Sequence, residues 1–192
     1  VICDGDVIER SNLNRQFLYT TDDLTRPKAP VAAERLRPLN PYITVEPVFA
    51  EIDSNSAGEL ISGADIVLDC LDNPETRFVL NRAAVGSSIP MVYAAVSEFL
   101  GYLSFLDPPN TPCLECFVDR TPPPAEPAVP GCPSGALGAL EAMEALKFLT
   151  GAGNNLQCRL LILDGGVPSA DIVEITNDPA CPACGHLHRA SK

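Results

Sequence analysis

Polar and cationic side chains are concentrated in one stretch near the start of this sequence, SNLNRQFLYTTDDLTRPKA, which spans residues 11–29. The chain has a formal net charge of -12, yet this stretch brings Asn12, Arg15, Gln16 and Lys28 together. An arginine fork, a lysine ammonium and amide donors are groups that hold phosphate oxygens. Each residue taken singly is better explained as a solvated surface residue, but the joint pattern predicts a site for a nucleoside triphosphate.

Acidic side chains follow two predicted strands. The first strand ends in CDGD, where Asp4 or Asp6 can accept hydrogen bonds from ribose hydroxyl groups. The later stretch DIVLDCLDN carries Asp69, Asp72 and Asn73 at the carboxyl end of a strand, where open α/β sheets bind ligands. Two carboxylates and an amide can hold Mg2+ through water and so orient a triphosphate. Asp72 and Asn73 can also cap the helix that follows, and the two roles are compatible.

Cysteine spacing predicts a metal site. The chain has 8 cysteines, and four of them form the pairs CLEC and CPAC, at Cys113, Cys116, Cys181 and Cys184. Two such pairs supply four thiolates to one tetrahedral zinc and leave no position for water, which is typical of a structural site. The alternative is that these are reduced core cysteines that happen to be paired.

Short apolar runs alternate with helical patterns along the chain. The predicted strands lie at residues 1–3, 43–49, 65–69, 91–95 and 160–164, and an antiparallel addition is predicted at 96–106. The predicted helices lie at residues 26–40, 74–88 and 134–151. The runs 65–69 and 160–164 are apolar enough to be buried on both faces. Ser134 is a possible N-cap and Gly151 a C-terminal stop. This alternation predicts an α/β fold with a doubly wound, mostly parallel sheet and an antiparallel extension.

A length of 192 residues predicts a single domain. The Pro-rich segment 119–133 is predicted to be a flexible crossover loop. The helix at 134–151 has only a narrow polar stripe, so it is expected to be a core or interface helix.

The net negative charge and the lack of a stripe of basic residues exclude a nucleic-acid-binding surface. The sequence contains no long apolar run or signal-like start, so we expect a cytoplasmic protein without a membrane segment.

Five segments, in this order, resemble the ThiF/MoeB/HesA family: CDGDVIERSNLNRQFLYTTDDLTRPKA, DIVLDCLDN, TPCLEC, GALEAMEALKFLTG and CPAC. These adenylating relatives of ubiquitin-activating enzymes use ATP and Mg2+ to adenylate the C-terminal glycine carboxylate of a small ubiquitin-like protein, usually as homodimers. The resemblance implies the same reaction here, on a sulfur-carrier protein with a Gly-Gly C-terminus, in molybdopterin, thiamine or related sulfur metabolism.

The resemblance also implies residue roles. Asp4 resembles the acid that binds the ribose, and Asn12 and Arg15 resemble the pair that lies over the phosphates. Lys28 resembles a lysine that contacts phosphate. Asp72 resembles the essential acid linked to Mg2+ and the reacting α-phosphate.

Two features depart from the family pattern. The sequence contains no GxGxxG motif and begins at what resembles the family's second strand, so we expect its first strand and glycine-rich loop to be missing. Cys132 lies near the place of a cysteine that some relatives use for a thioester or acyl disulfide, but it can equally be a loop cysteine without a covalent role. A weak or inactive family member that acts as a zinc-stabilised scaffold is the alternative function. A nucleotide-dependent oxidoreductase would need the missing glycine turn.

Overall fold

The computed structural model describes residues 1–119 and 129–189. The strands are β1 (Ile2–Cys3), β2 (Pro47–Val48), β3 (Val67–Asp69), β4 (Met91–Ser97), β5 (Leu100–Leu106), β6 (Arg159–Asp164) and β7 (Ser169–Glu174). The α-helices are α1 (Lys28–Leu36), α2 (Ala57–Leu60), α3 (Pro74–Ser87), α4 (Gly131–Thr150) and α5 (Gly185–Arg189). Single 3-10 turns lie at Arg10–Asn12, Thr21–Asp23 and Leu114–Cys116.

The strands form two sheets. β1 and β2 pair in parallel, and the larger sheet has the order β3-β4-β5-β6-β7. β3 and β4 are parallel because α3 carries the chain back across the sheet between them. β4 and β5 form an antiparallel hairpin, whose turn places Glu98 in the left-handed region at a φ of 53°. The pairings from β5 to β7 are also antiparallel. The predicted α/β class, with parallel strands and an antiparallel extension, is confirmed.

Two apolar clusters lie on the large sheet. Phe105, Leu103 and Val92 are buried beneath α4 together with Leu137 of that helix. A Cβ atom at Gly101 would lie 2.3 Å from Leu137 Cδ2, so glycine allows α4 to approach β5 this closely. A second cluster joins α3 to β3, β4 and β5. The sheet edge that carries Asp69 and the residues after it is therefore supported by α3 and α4.

The prediction that residues 65–69 and 160–164 are buried on both faces was wrong. Leu68 is 39% exposed, and β6 is half-buried over residues 160–164. β6 belongs to the antiparallel extension, and its neighbour β7 is exposed along its whole length. Apolar composition alone did not reveal that the described residues leave these strands partly uncovered.

The predicted beginning of α4 was also wrong. The helix begins at Gly131, after the N-cap Pro130, so Ser134 is a helix-interior residue whose Oγ donates to the Pro130 carbonyl at 3.4 Å. Pro133 is tolerated because N–H groups in the first helical turn have no helical acceptor. Cys132 therefore lies in the first turn of α4 and not in a loop. The predicted flexible segment 119–133 falls largely on residues 120–128, which lie outside the described residues.

The C-terminal end of α4 is as predicted, because Gly151 caps it at a φ of 68°. The outer surface of this helix is apolar: Met143, Leu146 and Leu149 are all exposed, Leu146 at 61%. The helix is therefore not enclosed by the described part of the chain, and the interface role stays a prediction. No helix in residues 1–119 and 129–189 has both the length and the apolar character required to cross a bilayer.

Candidate functional site

A polar cavity of about 300 Å³ brings together residues from three separate segments. It is lined by side chains of the 6–15 segment, by Lys28 at the start of α1, and by Asp72 just beyond β3. Of the residues singled out in the sequence, Asp6, Asn12, Arg15, Lys28 and Asp72 meet here. A second cavity, of about 490 Å³, is lined by residues 157–159 and 174–177, none of which the sequence predicted to be functional.

Lys28 is held inside the cavity by a short ion pair. Its Nζ atom donates to Asp6 Oδ2 at 2.7 Å, and its side chain is only 9% exposed, whereas that of Asp6 is 73% exposed. The backbone reinforces the contact, because Lys28 N donates to the Asp6 carbonyl at 3.0 Å. The lysine charge is therefore fixed in place, while its carboxylate partner remains in water and can be replaced by another anion.

Asn12 and Arg15 belong to a tightly bonded turn. Asn12 is buried, and its Oδ1 accepts from Glu9 N at 2.9 Å. Arg15 Nη1 donates to the Ser11 carbonyl at 3.2 Å and to Asn14 Oδ1 at 3.1 Å. These contacts give the guanidinium a defined place at the cavity wall.

The start of α4 packs against this turn. Asn14 Nδ2 donates to the Val129 carbonyl at 3.2 Å, and a Cβ atom at Gly131 would lie 2.6 Å from the Asn14 carbonyl oxygen. Cys132 is exposed one residue further along. It does not line the cavity, but it lies on the helical turn that borders the cavity segment.

Asp72 is exposed and stands at the junction between β3 and α3. The next residue, Asn73, is the N-cap of α3, and its Oδ1 accepts from Glu75 N at 2.9 Å and from Thr76 N at 3.4 Å. The predicted helix-capping role is therefore observed for Asn73. Its predicted role at a nucleotide or metal stays a prediction, because Asn73 does not line the cavity.

Asp4 and Gln16 lie near the cavity without lining it. Asp4 Oδ1 accepts from Asp6 N at 2.9 Å, and burial raises the pKa of its carboxyl, which Lys28 opposes. Gln16 Oε1 is buried and has no hydrogen-bond partner in the described part of the chain. Tyr19 donates to the Lys28 carbonyl at 3.2 Å, and burial together with the charge of Asp4 raises its pKa to about 12.

The cavity lining contains more acids than cations. Asp6, Glu9 and Asp72 face Arg15 and Lys28. Like charges repel strongly at a partly dehydrated surface. A triphosphate is therefore better accommodated together with a divalent cation that neutralises both the acids and the phosphates, and oxygen ligands of this kind suit Mg2+.

The four predicted metal ligands form one compact cluster. Their sulfur atoms all lie within 4.8 Å of one another, with Cys113 and Cys181 at 3.6 Å and Cys116 and Cys184 at 3.4 Å. Sulfur atoms lie about 3.8 Å apart when each is about 2.3 Å from a tetrahedral zinc ion. The arrangement therefore fits zinc and leaves no ligand position for water.

The electrostatics of the cluster favour a cation. The neighbouring thiols and burial raise the pKa of Cys113 far above its ordinary value, while hydrogen bonding from Cys113 lowers that of Cys116 to about 5. Four thiolates this close together need a metal to be stable. The buried Asn81 supports the site, because its Nδ2 lies 3.8 Å from Cys113 Sγ and its Oδ1 accepts from Leu114 N at 3.0 Å.

A buried charged group lies behind Asp72. The sequence analysis named only its Asp69, as one of two carboxylates that could hold Mg2+, but Asp69 does not line the cavity, and Arg77 and Glu141 were missed. Asp69 is fully buried, and its Oδ2 lies 3.1 Å from Arg77 Nε. Glu141 of α4 is 3% exposed, and its Oε2 accepts from Cys70 Sγ at 3.7 Å. Burial raises the pKa of Asp69 to about 6 and that of Glu141 to about 7. No local pattern of the sequence marks Arg77, because its acceptor is the backbone carbonyl of Leu71.

Comparison with known proteins gives concordant similarities. The ThiF family model matches residues 1–183. The SAMP-activating enzyme E1 of Haloferax volcanii is 38% identical over 191 residues, which cover 96% of this chain and 70% of that protein. A sulfur carrier protein adenylyltransferase of Thermus thermophilus is 38% identical over 195 residues, covering 96% of this chain and 72% of that protein.

The similarity extends to solved structures. E. coli MccB with ATP superposes with a TM-score of 0.85 at 23% identity, over 95% of this chain. The chain spans 57% of the length of that protein. At this level of identity the likeness establishes the fold.

Proposed function

The chain belongs to the ThiF family, and we propose from that premise that it adenylates the C-terminal glycine carboxylate of a small ubiquitin-like sulfur-carrier protein with ATP. The observation that carries the proposal is the cavity in which Arg15, Lys28 and Asp72 meet from three separate parts of the chain. The names of its relatives support the reaction class, because one of them is a sulfur carrier protein adenylyltransferase. The pathway that the carrier serves is left open.

The reaction joins two anions. A carboxylate oxygen of the carrier attacks the α-phosphorus of ATP, the bond between that phosphorus and the bridging oxygen breaks, and pyrophosphate leaves with the electron pair. The products are a carrier acyl-adenylate and pyrophosphate. Because the reactants repel each other, the site has to neutralise charge and hold the two in line.

The residues at the cavity divide this work. Arg15 and Lys28 bind phosphate oxygens, with Asn12 and Gln16 as amide donors beside them. Lys28 is already oriented by Asp6, whose exposed carboxylate gives way to a phosphate oxygen. Asp4 accepts hydrogen bonds from the ribose at the end of β1. We assign no protein residue as a general base, because the attacking carboxylate is already ionised at neutral pH.

Asp72 would hold Mg2+, and Asn73, whose Oδ1 is occupied as the N-cap of α3, would keep Asp72 in place beside the ion. The acidic excess of the lining fits such an ion. When bound, the ion withdraws charge from the phosphates and so assists the departure of pyrophosphate. Cys113, Cys116, Cys181 and Cys184 would hold a structural zinc outside the cavity.

Two further features belong to the same proposal. Cys132, exposed on the first turn of α4 beside the cavity segment, is the candidate for a covalent thioester or acyl disulfide with the carrier. The exposed apolar surface of α4, with Met143, Leu146 and Leu149, supports a homodimer because such a surface favours burial in an interface. The proposed reaction takes place in the cytoplasm.

Pyrophosphate exchange into ATP tests the proposal directly. The zinc-loaded protein is mixed with candidate carriers that end in Gly-Gly, one at a time, and exchange should require both a carrier and Asp72. Asp72→Ala should lower exchange about 1,000-fold, in the range found when one group that stabilises a transition state is removed. Asp119→Ala, an exposed acid outside the cavity, is the matched control and should retain exchange. A folded protein without exchange on any carrier would favour the scaffold function.

A further inference from the structure

Asp69 and Arg77 hold Leu71, the residue directly before Asp72, by both of its backbone polar groups. Leu71 N donates to Asp69 Oδ1 at 3.2 Å, and Arg77 Nη2 donates to the Leu71 carbonyl. Arg77 Nε and Asp69 Oδ2 lie 3.1 Å apart and close the arrangement. We refer to these three residues as the Leu71 clamp.

The clamp is rigid because its charged groups are enclosed. Asp69 is fully buried, and the Arg77 side chain is 11% exposed. The guanidinium carbon lies 5.0 Å from the centre of the Tyr93 ring, in a position for a cation–π contact. Tyr93 belongs to β4, so the guanidinium is supported by the neighbouring strand as well as by its own helix.

The backbone on the other side of Asp72 is fixed as well. Asn73 caps α3 through two hydrogen bonds, and Arg77 N donates to the Asn73 carbonyl at 3.1 Å. Asp72 is thus the exposed member of a short segment whose neighbours are both held in place. Its carboxylate reaches the cavity, whereas neither Asp69 nor Arg77 lines it.

We propose that Asp69 and Arg77 are positioning residues for the adenylation reaction, which set the place of the Asp72 carboxylate through Leu71. The inference rests on the proposed function. Neither residue contacts the reactants, so their effect is transmitted by the Leu71 carbonyl and N–H. A displacement of about 1 Å in a group that orients the reactants costs about 100-fold in rate.

A purely structural role for this pair makes a different prediction. Buried ion pairs often contribute little to folding, but removal of one partner leaves the other charge buried and lowers stability. If Arg77 served only the fold, its replacement would lower the free energy of unfolding and leave the kcat of the remaining folded protein unchanged. Measurement of kcat separates the two roles.

The decisive variants are Arg77→Lys and Arg77→Met in the full, zinc-loaded chain. Lysine keeps the positive charge beside Asp69 but lacks the planar fork that contacts Asp69 and Leu71 together. We expect Arg77→Lys to lower the kcat of carrier-dependent exchange about 10- to 100-fold, with the KM for ATP changed less than about 2-fold. Arg77→Met should have the larger effect. Arg37→Lys is the matched control, because Arg37 also donates to a backbone carbonyl, that of Val45, away from the cavity.

A second measurement does not require activity. The Leu71 amide proton is protected by its hydrogen bond to Asp69, and its hydrogen exchange, followed by NMR, should accelerate at least about 10-fold in Arg77→Lys at unchanged Tm. If the wild-type protein shows no exchange on any carrier, the proposed function fails, while Leu71 exchange still reports whether the clamp exists. Unchanged kcat with unchanged Leu71 protection overturns the inference, as does unchanged kcat with a lowered Tm.

Discussion

The polar cavity and the cysteine cluster are built in opposite ways. The cavity gathers both buried and exposed side chains, and its best-defined contact joins a buried lysine to a carboxylate that remains in water. The cysteine cluster is enclosed: Cys113 and Cys184 are fully buried, and all four sulfur atoms lie within 4.8 Å of one another. The cavity can exchange one anion for another, whereas the cluster only has to remain closed. Mutations in the cavity should therefore change mainly the affinity for ligands, whereas mutations in the cysteine cluster should change mainly the stability of the fold.

The largest expected effect concerns the cysteine cluster. Cys113→Ser should abolish zinc binding and lower the free energy of unfolding on the order of 5 kcal/mol, a part of the roughly 10–16 kcal/mol that structural zinc provides in small domains. Urea unfolding and the zinc content of the purified protein measure this. Cys158→Ser is the control, because Cys158 lies outside the cluster, and it should leave the zinc content unchanged. A zinc-free variant with wild-type stability would contradict the comparison.

The next largest effect concerns the cavity, where the mutation should change ligand affinity much more than stability. Lys28→Met should weaken ATP binding about 10- to 100-fold, since it removes a charge-assisted contact to phosphate. It should lower the free energy of unfolding by less than about 1 kcal/mol, because the partner Asp6 is exposed and stays solvated. Calorimetric titration with ATP and urea unfolding test the two statements. Lys147→Met, which removes an ion pair with Glu144 on α4, should leave ATP affinity unchanged. A loss of stability without a loss of affinity would show that Lys28 serves the fold.

The smallest expected effect concerns Glu141, which is buried beside Cys70. Its pKa is raised to about 7 by burial, with the charge of Asp69 adding to the rise and Arg77 and Cys70 opposing it. The folded state therefore binds a proton that the unfolded state releases near pH 4.5, and the protein loses stability as the pH rises from about 4.5 to about 7. Glu141→Gln removes this loss, so the variant should gain about 1–3 kcal/mol relative to wild type between pH 5 and pH 8.

Urea unfolding at both pH values measures the effect of Glu141→Gln. Glu59→Gln, on the exposed side of α2, is the control for the loss of one carboxyl group. Part of the pH dependence should persist in Glu141→Gln, because the pKa of Asp69 is also raised, to about 6. If the stability difference between Glu141→Gln and wild type is the same at the two pH values, folding does not raise the pKa of Glu141.

The two regions also differ in how far the sequence could predict them. Each CxxC pair is a local motif, so the sequence alone was enough to name the four cysteines of the cluster, and the fold only had to bring the pairs together. Arg15 and Lys28 lie close to Asp72 only because β3 ends beside the start of α1, and no local sequence pattern predicts that arrangement. The resemblance to a family supplied that information, and the cavity is where those residues meet.

The residues that the sequence analysis missed act through contacts that have no sequence signature. In the sequence Arg77 is simply a polar residue of α3. Nothing marks its role, because the group that accepts its hydrogen bond is the backbone carbonyl of Leu71. Glu141 looks in the sequence like one of the few polar residues on the exposed side of α4, whereas it is buried beside Cys70. The error at the start of α4 has a simple cause: Pro130 and Pro133 suggested a loop, but both fall where a helix begins and needs no N–H acceptor.

The separation of the two cysteine pairs along the chain has a consequence for synthesis on the ribosome. Cys113 and Cys181 touch in the folded protein but lie 68 residues apart. At a translation rate of about 5–20 residues per second, the first pair emerges roughly 3–14 s before the second. During that interval α4, β6 and β7 are being made while Cys113 and Cys116 have no partners. A nascent chain therefore carries one cysteine pair without its partner, and a zinc ion held by all four cysteines would join the two pairs only after β1 to β7 have all been translated.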